Sequence, residues 1–490
     1  MLLPILRRLR CGQSAALATA AVMALSACDK PPPPGAVGGG DVDYALQVLA
    51  AAPQEGFAPD AFGARRIADL GRDSGQRAAR DQALHAAVIA YARAEHGLSI
   101  PAKAMPQDWG LRPPPYDAEA DLQQALAQHR FKEWLAALPP ATPAYRALRQ
   151  AYGAYLKIAA AGGWQPLAPG PALHVGARGP AVDALRARLA MEDSSLAPAQ
   201  PGTAFDPTLA DALARFQASH KLQPTGVLDR ATLEELNVPA QARAGQIRAN
   251  LERLRWLPRE EPPTRVDVNT AAGLFDYYEN GRPVLHMLAA SGKPGDESPM
   301  LASAIDAIVI NPPWNVPQNI AQDELLPKGG DYLASHGFQT VSDGAGGTRL
   351  QQKPGAESAL GLVKFEFKNP YSVYLHDTPS KAAFNRTDRA VSHGCVRLEK
   401  AVDFARLLLT ENGWPPEKLD QAIASGETQS VPLHRKVPVR LIYLTAYPQG
   451  NGVGFAPDIY GWDAQLLQLL DGAAGLTVAQ ADKRGSKRAG

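Results

Sequence analysis

The period of the apolar residues changes near residue 260, and that change limits the fold more than any other feature of the chain. Upstream, apolar side chains recur at helical spacing, as in Tyr44, Leu46, Val48 and Leu49 and later Leu84, Val88, Ile89 and Tyr91. Downstream, short β-branched or aromatic runs are bounded by turn residues: Val266 to Asn269, Leu274 to Glu279, Val284 to Ala290, Ile305 to Ile310, Leu362 to Phe367 and Tyr371 to Leu375. At ~150 residues per domain, 490 residues suggest about three folded units. The expected fold class is therefore multidomain, all-α first and β-rich afterwards.

Within the helical part, residues 42–168 read as a scaffold broken at Pro113-Pro114-Pro115 and closed by Gly162-Gly163-Trp164-Gln165-Pro166. Residues 169–239 tighten into three short amphipathic helices carrying Val182, Leu185 and Leu189, then Leu209, Leu213 and Phe216, then Leu233 and Leu236. Their starts are marked by Gly179-Pro180, Asp206-Pro207 and Asp229, residues suited to cap a helix or open its first turn. A connecting helix with Ile247, Leu251, Leu254 and Trp256 occupies 240–264, the β-rich unit 265–446, and a mixed segment 447–480. A strand is expected at Val437 to Thr445 and a helix near Trp462 to Leu470, and the basic tail 481–490 is expected to be disordered.

At the N-terminus, Arg7, Arg8 and Arg10 precede an apolar run from Ala15 to Ala27 too short to span a bilayer comfortably, so residues 1–27 read as a signal peptide. The run ends Leu25-Ser26-Ala27-Cys28, which resembles the lipobox of bacterial lipoproteins. That resemblance implies lipidation at Cys28 and a protein held on the periplasmic side of a membrane, with Asp29 favouring the inner one. Residues 28–41, with four consecutive prolines and then a glycine-rich stretch, read as a tether.

Fifty Lys and Arg against 49 Asp and Glu give a formal charge of +1, so no basic field points to nucleic acid. Three cysteines, Cys11, Cys28 and Cys395, are too few and too scattered for a disulfide framework or a thiolate metal site. Cys11 leaves with the signal peptide, so Cys395 is a single free thiol in an exported protein and needs a use.

Its surroundings supply one. Ser392-His393-Gly394-Cys395-Val396-Arg397 is expected at a turn just before an amphipathic helix carrying Leu398, Phe404, Leu407 and Leu408, where the helix dipole and the neighbouring His393 and Arg397 favour a thiolate. Gly394 lets the backbone bend so that amide N–H groups near Cys395 face an oxyanion, with Ser392 and His393 supporting the loop. A thiol nucleophile needs a proton acceptor, and His376 at the end of the Tyr371 to Leu375 run and His393 are both candidates. Trp314 is either a core aromatic in a proline-rich turn or a wall of a substrate groove, and Arg397 either binds a carboxylate or holds the loop. No metal motif such as His-Glu-x-x-His occurs, and no cofactor is expected.

Two resemblances sharpen this reading. Val175 to Val182, Ala214-Arg215-Phe216-Gln217 and Leu222 to Asp229 resemble the peptidoglycan-binding domain 1 family. His376 followed by Ser392-His393-Gly394-Cys395 resembles the L,D-transpeptidase catalytic domain family. Its large scaffold-containing subfamily is similar through Asn311 to Pro317, Lys353-Pro354-Gly355, Ala359 to Phe365 and Leu375 to Pro379. The resemblance implies a β-sandwich-like catalytic domain with Cys395 as nucleophile and His376 as base, and peptidoglycan stem peptides and glycan as partners; Tyr374, Arg397 and Trp314 are the candidates for substrate contact. Ser358 stands where relatives commonly carry Asn, and 318–350, corresponding to the family's lid, is short and Gly-rich. A non-catalytic wall-binding scaffold and an L,D-carboxypeptidase using the same cysteine are the alternatives.

Overall fold

The computed structural model of the protein describes residues 39–197, 202–344, 346–450 and 452–472. The expected signal peptide, Cys28, most of the tether and the basic tail lie outside the described residues.

Six helices form the first unit: α1 (Gly39–Ala51), α2 (Ala64–Leu70), α3 (Arg77–Glu95), α4 (Ala118–Ala127), α5 (Phe131–Ala136) and α6 (Pro143–Ala160). Side chains close their open ends: the Asp117 carboxylate accepts from the Ala120 N–H, and the Thr142 hydroxyl from the Tyr145 N–H ahead of Pro143. The heptad-like apolar positions meet in one core containing Leu49, Leu84, Val88, Leu122 and Leu135.

The three short helices follow as α7 (Pro180–Ala190), α8 (Pro207–Ser219) and α9 (Arg230–Leu236), each starting where the sequence signals it. Asp206 and Asp229 cap the N–H groups of Leu209 and Thr232, caps worth ~1 kcal/mol each. Val182, Leu185, Leu209, Leu213 and Leu236 fill the bundle's centre.

Helix α10 (Ala240–Arg255) is almost wholly buried, including its charged residues. Arg255 binds Glu95 of α3 at 3.0 Å, and Arg248 Nε donates to the Gly56 carbonyl at 2.6 Å. Arg243 pairs with Glu235 of α9, and Arg253 with Asp463 near the end of the described chain. Gln246 donates to the carbonyls of Thr445 and Ala456 at 3.0 and 2.9 Å. Burial pushes the Glu252 carboxyl up against the pull of Arg255, as expected where charge is desolvated and then paired.

The β-rich unit runs β1 (Arg265–Asn269), β2 (Leu274–Glu279), β3 (Arg282–Gly292), β4 (Leu301–Ile310) and β5 (Trp314–Asn315). The segment expected to be the lid follows: α11 (Gln318–Ile320), a π-helical turn over Ala321–Leu325, α12 (Gly330–Ser335), β6 (Phe338–Ser342) and β7 (Thr348–Gln352). Then come β8 (Val363–Phe367), β9 (Leu375–His376), β10 (Ala390–Ser392), β11 (Val396–Leu398), α13 (Ala401–Glu411), α14 (Pro416–Ala424), β12 (Gln429–Ile442) and the hairpin β13 (Ala446–Gln449) and β14 (Gly452–Phe455). A helical stretch over 462–472 closes the described chain.

The main sheet has the order β10-β3-β11-β9-β8-β4-β12-β1-β2. β3 is long enough to pair with β2 over its first part and with β11 and β10 at its end, so the sheet folds back on itself around one core. α13 sends Phe404 into that core, with ring centroids 4.9 Å from Phe275 and 4.8 Å from Phe365. The result is the expected β-rich domain with flanking helices. The lid builds its own three-stranded sheet, β5-β7-β6, over a small cluster of Val316, Ile320 and Leu325 with Trp314 and Phe338 against it.

Two local expectations are corrected. The run Tyr371 to Leu375 is not a strand: only Leu375 and His376 pair, and they do so inside the sheet, between β11 and β8. The Asn369 side chain ties the preceding residues into a turn through the Phe367 and Val373 carbonyls and the Tyr371 and Val373 N–H groups, with Ser372 at φ 57°. Val396 to Leu398 likewise joins the sheet instead of opening the next helix, because pairing on both sides buries Val396 and Leu398.

Candidate active site

Parallel pairing of β9 with β11 sets Leu375 beside Val396 and His376 beside Arg397. Since side chains alternate across a sheet, the fully buried Leu375, Val396 and Leu398 point to the core while His376 and Arg397 share the opposite face. β8 adds Lys364, the register partner of His376, to that face. Cys395 leads into β11 from the loop after β10, and the groups acting on its sulfur are Tyr374, Lys364 and Arg397. Four sequence candidates, Cys395, His376, Tyr374 and Arg397, are thus gathered on one surface.

Cys395 is half-buried and is a free thiol. It does not sit at a helix N-terminus: α13 begins at Ala401, and β11 lies between. Burial is the largest influence and pushes the thiol above its ordinary value, against hydrogen bonds from Tyr374 and the charges of Lys364 and Arg397. The helix-dipole support expected for a thiolate is therefore absent, and burial opposes that form.

His376 is buried and its Nδ1–H donates to the Asp377 carbonyl at 2.5 Å, which leaves Nε2 as the nitrogen with a free lone pair. Burial, then the Arg397 charge, brings its pKa down to about 3. His393 is arranged differently. Its Nε2 lies 2.6 Å from Glu324 of the lid and 3.2 Å from Lys293, so the imidazole faces the lid. The chemistry of the two histidines is thereby separated: one is tied through Nδ1 beside the thiol's neighbours, the other is bound to a carboxylate.

Arg397 has no carboxylate within salt-bridge distance among the described residues, and its Nε is buried without a hydrogen-bond partner. Desolvation pulls its pKa down, with the Cys395 charge acting the other way. Burial holds the Tyr374 phenol protonated, with the nearby Trp314 indole acting the other way. Lys364 Nζ lies 4.3 Å above the Tyr374 ring and 2.9 Å from Glu366. Trp314 also meets Phe338 edge-on at 6.2 Å, so it is at once part of the lid cluster and a neighbour of Tyr374.

The loop carrying the thiol is clamped. Ser392 Oγ donates to the Cys395 carbonyl at 2.5 Å, and Gly394 takes φ 100°, which L side chains avoid. Behind His376, the buried Asp377 accepts from the Leu362 N–H at 3.0 Å and from Lys381 at 2.7 Å. Gly361, at φ 60°, has no room for a side chain, because a Cβ would lie 2.4 Å from Asp377 Oδ2. Sequence reasoning missed Lys293, Ser298 and Glu324, which are brought in by pairing and lid folding and carry no local motif, and gave no role to Lys364 within the Ala359 to Phe365 match. Among the described residues no three His, Cys, Asp or Glu side chains are placed to hold a metal ion. An open depression of about 540 Å³ lined by Ile89, Arg93, Tyr116 and Glu119 lies on the scaffold helices rather than beside the thiol.

Residues 263–425 match the L,D-transpeptidase catalytic domain family, residues 39–151 a scaffold domain, and residues 178–236 a family described as "Putative peptidoglycan binding domain". The chain carries an L,D-transpeptidase catalytic domain joined to a peptidoglycan-binding domain. It is 34% identical over 237 residues to a "Putative L,D-transpeptidase" of Haemophilus influenzae, an alignment covering 44% of this chain and 48% of that protein. The chain thus spans about half the length of that curated relative. Among solved structures it is similar to an L,D-transpeptidase from Mycobacterium smegmatis, with 16% identity, TM-score 0.20 and coverage of 36% of this chain and 58% of that one. An L,D-transpeptidase from Xylanimonas cellulosilytica gives 15% identity, TM-score 0.16 and coverage of 56% and 99%.

Proposed function

We propose that this protein is a cell-wall L,D-transpeptidase acting through a cysteinyl acyl-enzyme. The observation that carries the reading is the arrangement of one thiol and one Nδ1-tied imidazole on a single sheet face, with Arg397, which meets no carboxylate among the described residues, beside both. In this reading Cys395 Sγ attacks the carbonyl carbon of the third residue of a tetrapeptide stem, and the thiol proton passes to His376 Nε2. The new S–C bond forms a tetrahedral oxyanion held by backbone N–H groups of the Gly394–Cys395 turn. The C–N bond to D-alanine then breaks, and the leaving amine takes the proton from His376. An amine of a second stem attacks the thioester, gives up a proton through His376 to the thiolate, and restores the free enzyme with a new cross-link. Arg397 receives a stem carboxylate, and Trp314 with Tyr374 walls the groove.

The expected compartment follows from the sequence: export to the periplasm, with lipid on Cys28 anchoring the chain to a membrane, the inner one by preference. Cys28→Ala should lose incorporation of a labelled fatty-acid analogue, and retention of the label would remove the anchor from the reading.

Mass analysis of muropeptides after incubation with tetrapeptide stems tests the activity. Cross-linked dimers with loss of D-alanine are the expected products. Tripeptide alone makes the enzyme a carboxypeptidase with the same nucleophile, and unchanged stems refute the reading.

A further inference from the structure

We infer that Ser298 is an oxyanion-positioning residue, acting on the nucleophile's own amide through the Gly394 carbonyl. The inference rests on the acyl-transfer reading above and names a residue for it. Ser298 is fully buried, in the turn after β3. Its hydroxyl accepts from the Gly292 N–H at 2.9 Å, so its proton is free to be donated, and it goes to the Gly394 carbonyl at 2.7 Å. In a trans peptide the N–H points opposite to the C=O. The bond that fixes Gly394 O therefore turns the Cys395 N–H away from Ser298, and among the described residues no acceptor meets that N–H. The Cys395 carbonyl is held independently by Ser392, so both ends of the unit bearing the thiol are set before substrate arrives.

Ser298 itself is held from a distant part of the chain. Its N–H donates to the Tyr460 hydroxyl at 3.2 Å, and that hydroxyl donates to the Gly292 carbonyl at 2.7 Å. Gly292 closes the arrangement because a Cβ there would lie 1.9 Å from the Asp296 carbonyl oxygen. Tyr460, Ser298, Gly292 and Gly394 thus form one relay ending at the amide beside the nucleophile. Such a relay matters only when a carbonyl turns tetrahedral, since the oxyanion exists only then.

The test uses that selectivity in the full chain. Cys395 is modified at pH 9 by iodoacetamide, where sulfur displaces iodide with no oxyanion, and by a p-nitrophenyl ester, where sulfur adds to the carbonyl and p-nitrophenolate leaves. In Ser298→Ala we expect acylation to fall ~10- to 100-fold and alkylation to change less than about 3-fold. Tyr460→Phe should give a smaller change of the same kind. Equal losses in both reactions would assign Ser298 a merely structural role, and unchanged acylation would remove it from the site. Should the wild-type chain itself fail to be acylated while it is alkylated, the acyl-transfer reading falls and this inference with it; wild-type acylation matched by Ser298→Ala sinks the inference alone.

Discussion

Before substrate binds, Cys395 and His376 are poorly matched for making an ion pair, and a pH titration of thiol reactivity exposes this. Burial holds Cys395 above the ordinary 9.0 of a thiol, while His376 sits at about 3. Moving the proton from sulfur to imidazole before substrate binds is therefore uphill, because burial opposes both the thiolate and the imidazolium. Burial thus favours the thiol over the thiolate in the absence of substrate. The rate of alkylation by iodoacetamide, followed by intact mass, should rise about tenfold per pH unit between pH 6 and 9 with no plateau on the acid side. Arg397→Gln should lower the rate at pH 7, because the lost guanidinium favours both the thiolate and the neutral imidazole. A plateau between pH 4 and 8, the mark of a preformed thiolate–imidazolium pair, would refute the reasoning, and so would faster alkylation in the variant.

Other outcomes follow from neighbouring contacts. Acylation of the proposed nucleophile by a carbapenem, a strained amide, should add one mass adduct per chain that Cys395→Ala abolishes, and an adduct that persists would place the nucleophile elsewhere. His376→Ala should reduce transpeptidation by roughly 10²-fold or more and His393→Ala by less, a ranking that kinetics with muropeptides would reverse if His393 were the base. Glu324→Gln removes the lid's carboxylate from His393, a partly exposed contact worth up to ~1 kcal/mol, and should raise hydrogen exchange in 318–335 without shifting the melting temperature measurably. Gly361→Ala should destabilise the fold by at least ~2 kcal/mol in urea unfolding, since the new Cβ meets Asp377 in a left-handed backbone; unchanged stability would mean that the turn relaxes freely.

What the sequence conveys depends on how local the cause is. Asp206, Asp229 and Pro180 act within one helical turn, and α7, α8 and α9 start where those residues say. Leu274 to Glu279 becomes β2 to the residue, because its alternation needs only one buried face. Val396 and Arg397 read as a turn, and Leu398 as part of the helix carrying Phe404, Leu407 and Leu408. The pairing of this segment with β3 and β9, more than a hundred and about twenty residues away, decides otherwise. The same non-locality hid Ser298 and Glu324, whose partners Gly394 and His393 are remote in the chain, whereas Cys395 stood out as a lone thiol in a Ser-His-Gly-Cys turn and His376 through the resemblance. The helix-dipole argument failed at this point: a strand three residues long intervened.

Helix α10 gives the separate units a common fate. It grips the first helical unit through Arg255 and Arg248, the three-helix bundle through Arg243, and the C-terminal segment through Gln246 and Arg253. A hinge between any two of these would strip a desolvated charge of its partner, at ~3–5 kcal/mol per broken pair. The chain should accordingly melt in one calorimetric transition instead of three, and the distance from the bundle to Cys395 behaves as the length of a rigid bracket rather than the reach of a swinging arm.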